Sequence, residues 1–574
     1  MKRKRGGLRL AGLVALAASA PIVYGQYGFP QAQQSQYPQN AYPQGAESQQ
    51  YPQAGYPQQY GAPQQYPVQQ QYGAPEAGGY GQPQNGQPYP QNGGDVDVND
   101  PERGVARVSI AQGDVNIRRG DTGALVAAVV NAPLMGQDHL QTSDGSRAEV
   151  EFDYGNLVRL APDTDLVFAD VEYHRYQIQL AAGTIIYRVL RNANSQSEID
   201  TPSIAVHPTQ LGEYRISVMP DGTTQVSVRS GALEIYSPQG TQNLGPGQAM
   251  LVRGSQQSPE FEMVGVPAPD QFDGWSEQRD SEMLASRSYQ HVNPEIYGAD
   301  DLDQYGNWVP SQYGQVWAPQ PPTPDWTPYS DGEWVSEPYY GWTWVDDAPW
   351  GWAPFHYGSW FWNGGVSRWC WFPGGIAGGL FWRPAVVGFF GLGGGGFGLG
   401  FGLGGFNALG WVALAPFEAF HAWFGHGGGY YNIDRNFNVL HGFRNASFRG
   451  AVRTGPMNSF GGPQRFGIAS RQELTNAAMF RGGLPVTASR ASMQFSNRQA
   501  VGNSRFNGLA NRSFFEHSRP GQTRNASFAS RSSSGAFGNR GFTQSSRAEN
   551  SRAESGFQQS RAGGSQSGGW QHFG

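Results

Sequence analysis

Thirteen tryptophans lie between Trp308 and Trp382, a stretch of 75 residues, and a nine-residue pattern, W-[TA]-P-[YF]-x-x-G-x-W, occurs there twice at a spacing of 26. The copies are Trp326-Thr-Pro-Tyr329-Ser-Asp-Gly332-Glu-Trp334 and Trp352-Ala-Pro-Phe355-His-Tyr-Gly358-Ser-Trp360. Large rings bury about 150–250 Å² each, so this density serves either as the core of small repeated units or as a row of stacking platforms. Aliphatic residues are too scarce here to form a core by themselves, so ring-on-ring packing with Pro319, Pro328, Pro354 and Pro373 is the structural expectation. The binding alternative starts from Gly341-Trp-Thr-Trp344, Trp360-Phe-Trp362 and Trp369-Cys-Trp371, where alternation puts paired rings on one face of a strand. It makes Trp342, Trp344, Trp360 and Trp362 the candidate ligand-stacking residues, set against the flat faces of sugars.

The flanks differ sharply from this stretch. Residues 1–25 combine a basic start, an apolar run from Leu10 to Val23 and a small-residue exit before Gln26. This reads as a secretory signal peptide, with an uncleaved anchor as the alternative, since the run is short for a span of about 20 residues. Residues 26–100 repeat Tyr-Pro-Gln and Gln-Tyr-Gly-Ala-Pro units and read as a disordered linker. Lys2 and Lys4 are the only lysines, so every later cation except histidine is arginine, suited to bidentate pairing and ring stacking. From Gln26 to Tyr430 there are 40 acidic residues against 16 arginines; from 431 onward there are 18 arginines against 5 acids. An acidic body with a basic tail implies tail-to-body attraction or a polyanionic envelope partner.

Over residues 101–265, short runs such as Val105–Ile110, Ala148–Phe152, Tyr176–Leu180, Thr184–Val189 and Thr224–Val228 alternate with period two. Turns at Asp144-Gly145, Ala182-Gly183, Asp221-Gly222 and Ser230-Gly231 separate them, predicting an antiparallel, all-β domain. Residues 266–300 read as a short helical connector, with Ser276 as the cap. Residues 301–385 form the tryptophan-rich β module and 386–430 a glycine-rich apolar hairpin or loop. A membrane helix is disfavoured there by its glycines, each costing about 1 kcal/mol. Residues 431–574, rich in Arg, Asn, Ser and Gly, read as a disordered tail. The predicted fold class is therefore mainly β, with long disordered N- and C-terminal regions.

The ordered string Gln112-Gly-Asp-Val115, Leu140-Gln-Thr-Ser-Asp-Gly145, Leu180-Ala-Ala-Gly-Thr184, Ile199-Asp-Thr-Pro-Ser203, Asp221-Gly-Thr-Thr-Gln-Val226 and Leu244-Gly-Pro-Gly-Gln248 resembles a FecR-like periplasmic domain. The tryptophan region resembles the tryptophan-rich domain of unknown function that follows FecR-like domains in some exported bacterial proteins. It does so through Asp303-Gln-Tyr-Gly-Asn-Trp308, Val316-Trp-Ala-Pro319 and the two repeat copies. The resemblance implies an all-β module and, in some members, a relay to sigma-factor machinery.

Catalytic patterns are not evident. His421 and His426 are five apart where a zinc-protease helix needs four, no G-x-S-x-G elbow occurs, and a phosphate loop lacks its lysine. Asp346-Asp347 and Asp331 lie among the tryptophans, yet adjacent acids in a strand point to opposite faces, so these read as a solvated turn. The chain is expected to be a non-enzymatic, exported structural or interaction protein of the periplasm, cell envelope or extracellular space. No catalytic, cofactor-binding or metal residues are assigned. The alternatives are a glycan- or peptidoglycan-binding module using exposed tryptophans, and a FecR-type periplasmic signalling component. Expected partners are cell-wall glycan or another envelope protein, with membrane association through the glycine-rich segment or an uncleaved signal; export disfavours nucleic acid.

Overall fold

The period-two runs fold as seventeen strands between Ala106 and Val264, arranged as two sheets over one aliphatic core. The computed structural model describes residues 103–192, 195–321, 323–374, 381–393, 405–425, 432–506, 508–509 and 512–518. The expected signal peptide, the whole of the expected 26–100 linker and the tail beyond residue 518 lie outside the described residues. Everything described belongs to one compact unit, residues 89–574. The chain is mainly β. Among the described residues no helix is long and apolar enough to cross a membrane.

One strand joins the two sheets. Arg175–Val189 pairs through its first half with Thr164–Glu172 and Gln196–Asp200, and through its second half with Asn156–Leu160 and Gly212–Val218. The expected turn at Ala182-Gly183 is corrected to a bend inside this strand. Gly183 has φ +92°, and a Cβ there would lie 2.4 Å from Thr164 Oγ1, so only glycine lets the strand pass between sheets. The pairing of Gln196–Asp200 with this strand is parallel, an exception to the expected antiparallel pattern.

The connector helix is Gln271–Leu284, earlier than expected. Asp270 is its cap and closes a capping box with Asp273, whereas Ser276 lies buried on the inner face. That face is polar and meets a polar sheet surface. Arg159, itself fully buried, donates to Glu149 (2.8 Å), Asp280 (2.7 Å) and Ser276 Oγ (2.6 Å); Arg279 reaches Glu149 (2.9 Å). Burial alone would raise Glu149, but Arg159 and Arg279 override it and bring the carboxyl down to about 2.

Beyond the tryptophans, Val387–Leu392 and Ala408–Ala413 pair as the centre of a six-stranded sheet. Its outer strands, Ile433–Phe437, Val452–Pro456, Gly467–Ile468 and Ala477–Phe480, come from the segment expected to be disordered. For residues 432–518 that expectation is corrected. Phe443, Phe460 and Phe480 are at most 3% exposed, each filling a space built by other elements. Isolated rings among Gly, Asn and Arg carry no periodicity, so nothing local announces their burial.

Candidate functional site

The tryptophan repeat is a hairpin repeat, and it has a third, weaker copy. Gly306-Asn-Trp308, Gly332-Glu-Trp334 and Gly358-Ser-Trp360 recur every 26 residues. Each Gly-x-Trp enters a strand whose tryptophan stands directly opposite another: Trp308 with Trp317, Trp334 with Trp344, Trp360 with Trp371. The glycine lies against the edge of that second ring. A Cβ would come within 2.5 Å of the Trp317 ring at Gly306, 2.7 Å of Trp344 at Gly332 and 2.6 Å of Trp371 Nε1 at Gly358. The pattern therefore encodes close passage of a backbone over an indole.

The rings form a core. Trp317, Trp334, Trp344, Trp352, Trp360, Trp371 and Trp411 are fully buried, mostly in edge-to-face contact, as in Trp334 against Trp344 at 5.4 Å and 66°. Of the four candidate stacking residues, Trp344 and Trp360 are fully buried and Trp342 is 6% exposed, so these three offer no face to a ligand. This corrects the assignment of those three: scarcity of aliphatic side chains makes the indoles the filling of the core. Trp362 alone, 38% exposed beside Trp369 and Phe448, retains an open surface. Cys370 is buried between Val316, Ala318 and Phe361.

The hairpin Gly332–Glu337 and Gly341–Asp346 is wedged between two cores. On one face, Trp334, Trp342 and Trp344 enter the aromatic core; on the other, Val335 and Val345 enter the aliphatic core of the two-sheet domain. Polar contacts fasten the wedge. Arg119 grips Glu337 with both terminal nitrogens (2.8 and 3.1 Å) and also donates to the Ser336 carbonyl. Asn131 donates to the carbonyls of Asp346 and Ala348, and Arg107 donates to Asp301 and the Pro349 carbonyl. The β domain and the tryptophan-rich module thus share packing and do not meet as separate bodies.

Where the wedge emerges, its alternation produces a cluster. Asp331 immediately precedes the strand that carries Glu333, Glu333 stands opposite Val345, and the Asp347 amide, just past the second strand, donates to the Asp331 carbonyl (3.2 Å). All three acids line one cleft, whereas Asp346 turns inward and accepts from Trp344 Nε1 and the Ala348 amide. Asp346 and Asp347 do diverge, as expected of adjacent strand residues, but the solvated turn is corrected: Asp346 is 4% exposed and Asp347 joins a site. With Ser330, Arg453, Gln464, Arg465, Phe466 and Asn497, the three acids line an open polar cleft of about 610 Å³. Partial burial, then Asp347, pushes Glu333 up to about 8; burial lowers Arg453, opposed by Asp331. Arg453 Nη2 donates to Thr327 Oγ1 (3.3 Å), while its buried Nε has no hydrogen-bond partner among the described residues.

Glu333 sets a pH dependence. It stays protonated in the folded chain up to about 8, but ionises near its ordinary 4.5 when unfolded. Its contribution to stability is therefore fully present below 4.5 and is lost as pH rises from there through 8. Denaturation of Glu333→Gln between pH 4 and 9 is expected to show a flatter profile than wild type; identical profiles would sink the assignment. Glu333, Arg453 and Arg465 escaped sequence reasoning. Glu333 was findable, since i and i+2 share a strand face; the arginines, arriving from a distant sheet and loop, were not.

An acid–guanidinium cleft suits a polar ligand rich in hydroxyls: carboxylates accept from hydroxyls, planar guanidinium groups donate in pairs, and Phe466 adds one apolar surface. Residues 138–234 match the family model described as FecR protein, and residues 299–418 match a family of unknown function, DUF6600. No curated protein matches the chain. Two crystal structures, at 1.65 and 2.50 Å, of a "putative anti-sigma factor" from Parabacteroides distasonis ATCC 8503 are 18% identical to it, with TM-scores of 0.20. The similarity covers 23% and 25% of this chain and 60% and 63% of theirs, so the chain spans less than two thirds of their length. The chain carries a FecR segment followed by a DUF6600 segment, and the cleft opens on residues of the second.

Proposed function

We propose that this is a non-enzymatic, exported interaction protein of the cell envelope, which holds cell-wall glycan in the cleft between Asp331, Glu333 and Asp347 on one side and Arg453 and Arg465 on the other. The observation that carries this reading is the convergence of three carboxyls and two guanidinium groups at one open cleft. The fused β body supplies the rigidity a binding site needs, because its recognition strand is packed on both faces. The aromatic core serves the fold, and the glycan contact moves from the tryptophans to the polar residues beside them.

The test is retention of the full chain on isolated cell-wall material. Asp331→Asn with Asp347→Asn is expected to lower retention at least about tenfold, the loss of one or two charge-assisted hydrogen bonds. Trp362→Ala is expected to leave it within about twofold, as for a peripheral contact. If Trp362→Ala abolishes retention and the acid variants do not, the cleft is the wrong site.

The FecR match over residues 138–234 supports a second reading, a FecR-type periplasmic signalling component. It requires a retained anchor and a cytoplasmic effector. A mature N-terminus at Gln26, read by mass spectrometry of the native protein, would count decisively against it.

A further inference from the structure

The last described residues, 496–506, 508–509 and 512–518, are laid across one end of the sheet that contains Thr164–Glu172 and Gln196–Asp200. Their contacts fall where the strands begin or end at a common level: Gly113 and Val115, Asp163, Ala181 and Thr201, in register through the pairs Val115 with Thr142, Thr142 with Thr164, and Asp165 with Ala182. Arg498 donates to three main-chain carbonyls, those of Gly113 (3.3 Å), Val115 (3.3 Å) and Ala128 (2.9 Å). Asn116 pairs with both main-chain groups of Val501, its Nδ2 donating to the carbonyl (2.9 Å) and its Oδ1 accepting from the amide (3.2 Å). Asn503 and Arg505 both engage Asp163, Arg512 donates to the Ala181 carbonyl, and the Phe515 amide donates to the Thr201 carbonyl. At the far end, Glu198 accepts from the amides of His517 (2.8 Å) and Ser518 (3.0 Å).

These contacts are of the peptide-recognition kind. The track reads main-chain amides and carbonyls at three places and arginine at three, through Asn116 and Glu198 side chains that are themselves 3% and 4% exposed. The occupant brings little apolar surface. Between Ser496 and Ser518, Phe506, 6% exposed, is the one large apolar side chain buried among the described residues, and Val501 is 53% exposed. Segments with few buried apolar contacts open well below the free energy of global unfolding. The chain also repeats the side chain that docks. Arg498 and Arg512 both donate to main-chain carbonyls of the track and Arg505 engages Asp163; further arginines, Arg519, Arg524 and Arg531 among them, follow in the sequence outside the described residues.

We infer that this sheet end is a reversible docking track for extended arginine-bearing peptide segments, filled in this chain by its own segment ending at Ser518 and open to the same segment of a second copy. Exchange of an identical element needs no new chemistry, because every contact in trans copies one made in cis. The cis segment competes at an effective concentration near millimolar, so the track of the wild-type chain is largely occupied. Of the residues lining the glycan cleft the docking segment contributes Asn497, but the peptide assay reads the track and not glycan retention, so the two fail separately.

The probe is a labelled synthetic peptide with the sequence of residues 496–518, added to full-length chains and followed by fluorescence anisotropy. The full chain carrying Arg498→Ala and Val501→Pro, which releases its own segment, is expected to bind the peptide at least about tenfold more tightly than wild type, since the competitor is weakened. Adding Asn116→Ala to that chain is expected to remove the gain. Equal affinity for wild type and the released chain, or a gain that survives Asn116→Ala, overturns the inference. Should the released chain not fold, hydrogen exchange on the wild-type protein decides: the amides of Val501, Phe515 and His517 are expected to exchange far faster than that of Ile178 in the shared strand. Equal protection would mean the segment opens only with the whole fold, and would overturn it too.

Discussion

Replacing Arg159 by leucine is expected to destabilise the folded chain by about 3–5 kcal/mol, the usual cost of removing one partner from a buried ion pair. Arg159 and Glu149 are both fully buried, and Arg159 also holds Asp280 and Ser276 of the helix Gln271–Leu284. Without it, Glu149 keeps only the Arg279 guanidinium for its charge, in a place where water cannot compensate. Chemical denaturation of the single variant and of Arg159→Leu with Glu149→Gln provides the check. The double variant should recover part of the loss, because the second change removes the stranded charge. Acid acts on the same network. Glu149 titrates at about 2 when folded and near 4.5 when unfolded, so its contribution is fully present above 4.5 and is lost as pH falls through 2. A loss below about 1 kcal/mol for the single variant would show that the helix is held by its apolar contacts instead.

The second large effect is expected at Trp334. Its ring is fully buried and meets Trp344, Phe389, Trp411, Trp423 and Phe460 at centroid distances from 4.9 to 6.4 Å. Trp334→Ala is expected to cost about 3–5 kcal/mol, the range for emptying an aromatic site that cannot collapse. Trp362→Ala, on the open side of its hairpin, is expected to cost less than about 1 kcal/mol. Trp334 Nε1 has no hydrogen-bond partner among the described residues, so Trp334→Phe loses volume without stranding an acceptor and should fall between the two. Denaturation curves for the three variants separate these outcomes. If Trp334→Ala costs no more than Trp362→Ala, the tryptophans are not the core of this unit.

Much of the fold is legible from short windows of sequence. Alternation at Ala148–Phe152 or Thr224–Val228 predicts strands because a pleat exposes side chains with period two, whatever the strand pairs with. The Gly-x-Trp spacing predicts a repeated unit because a backbone crossing an indole edge has no room for a Cβ. Other elements were misread for an equally local reason. Ala182-Gly183 has the composition of a turn, and only the two partner strands on either side make it a bend between sheets. Ser276 is a good cap by type, but Asp270 and Asp273 six and three residues earlier close the better box.

Sequence alone therefore determined the class of the fold, the β character of both segments and the 26-residue repeat of the tryptophans. These properties arise from backbone sterics and side-chain period within about ten residues, the span of one strand and its turn. Tertiary structure alone decided which rings remain open, which acids meet, and where the basic tail lies. Trp360 and Trp362 are equivalent by period, yet one is sealed in the aromatic core and the other is exposed. Asp331, Glu333 and Asp347 become a site only when Arg453 and Arg465 arrive from a far later part of the chain. The tail's attraction to the acidic body is visible in its charge, but its path is set by carbonyls and carboxyls on five strands and their turns. Burial and electrostatic pairing depend on neighbours distant in sequence, and no local period encodes them.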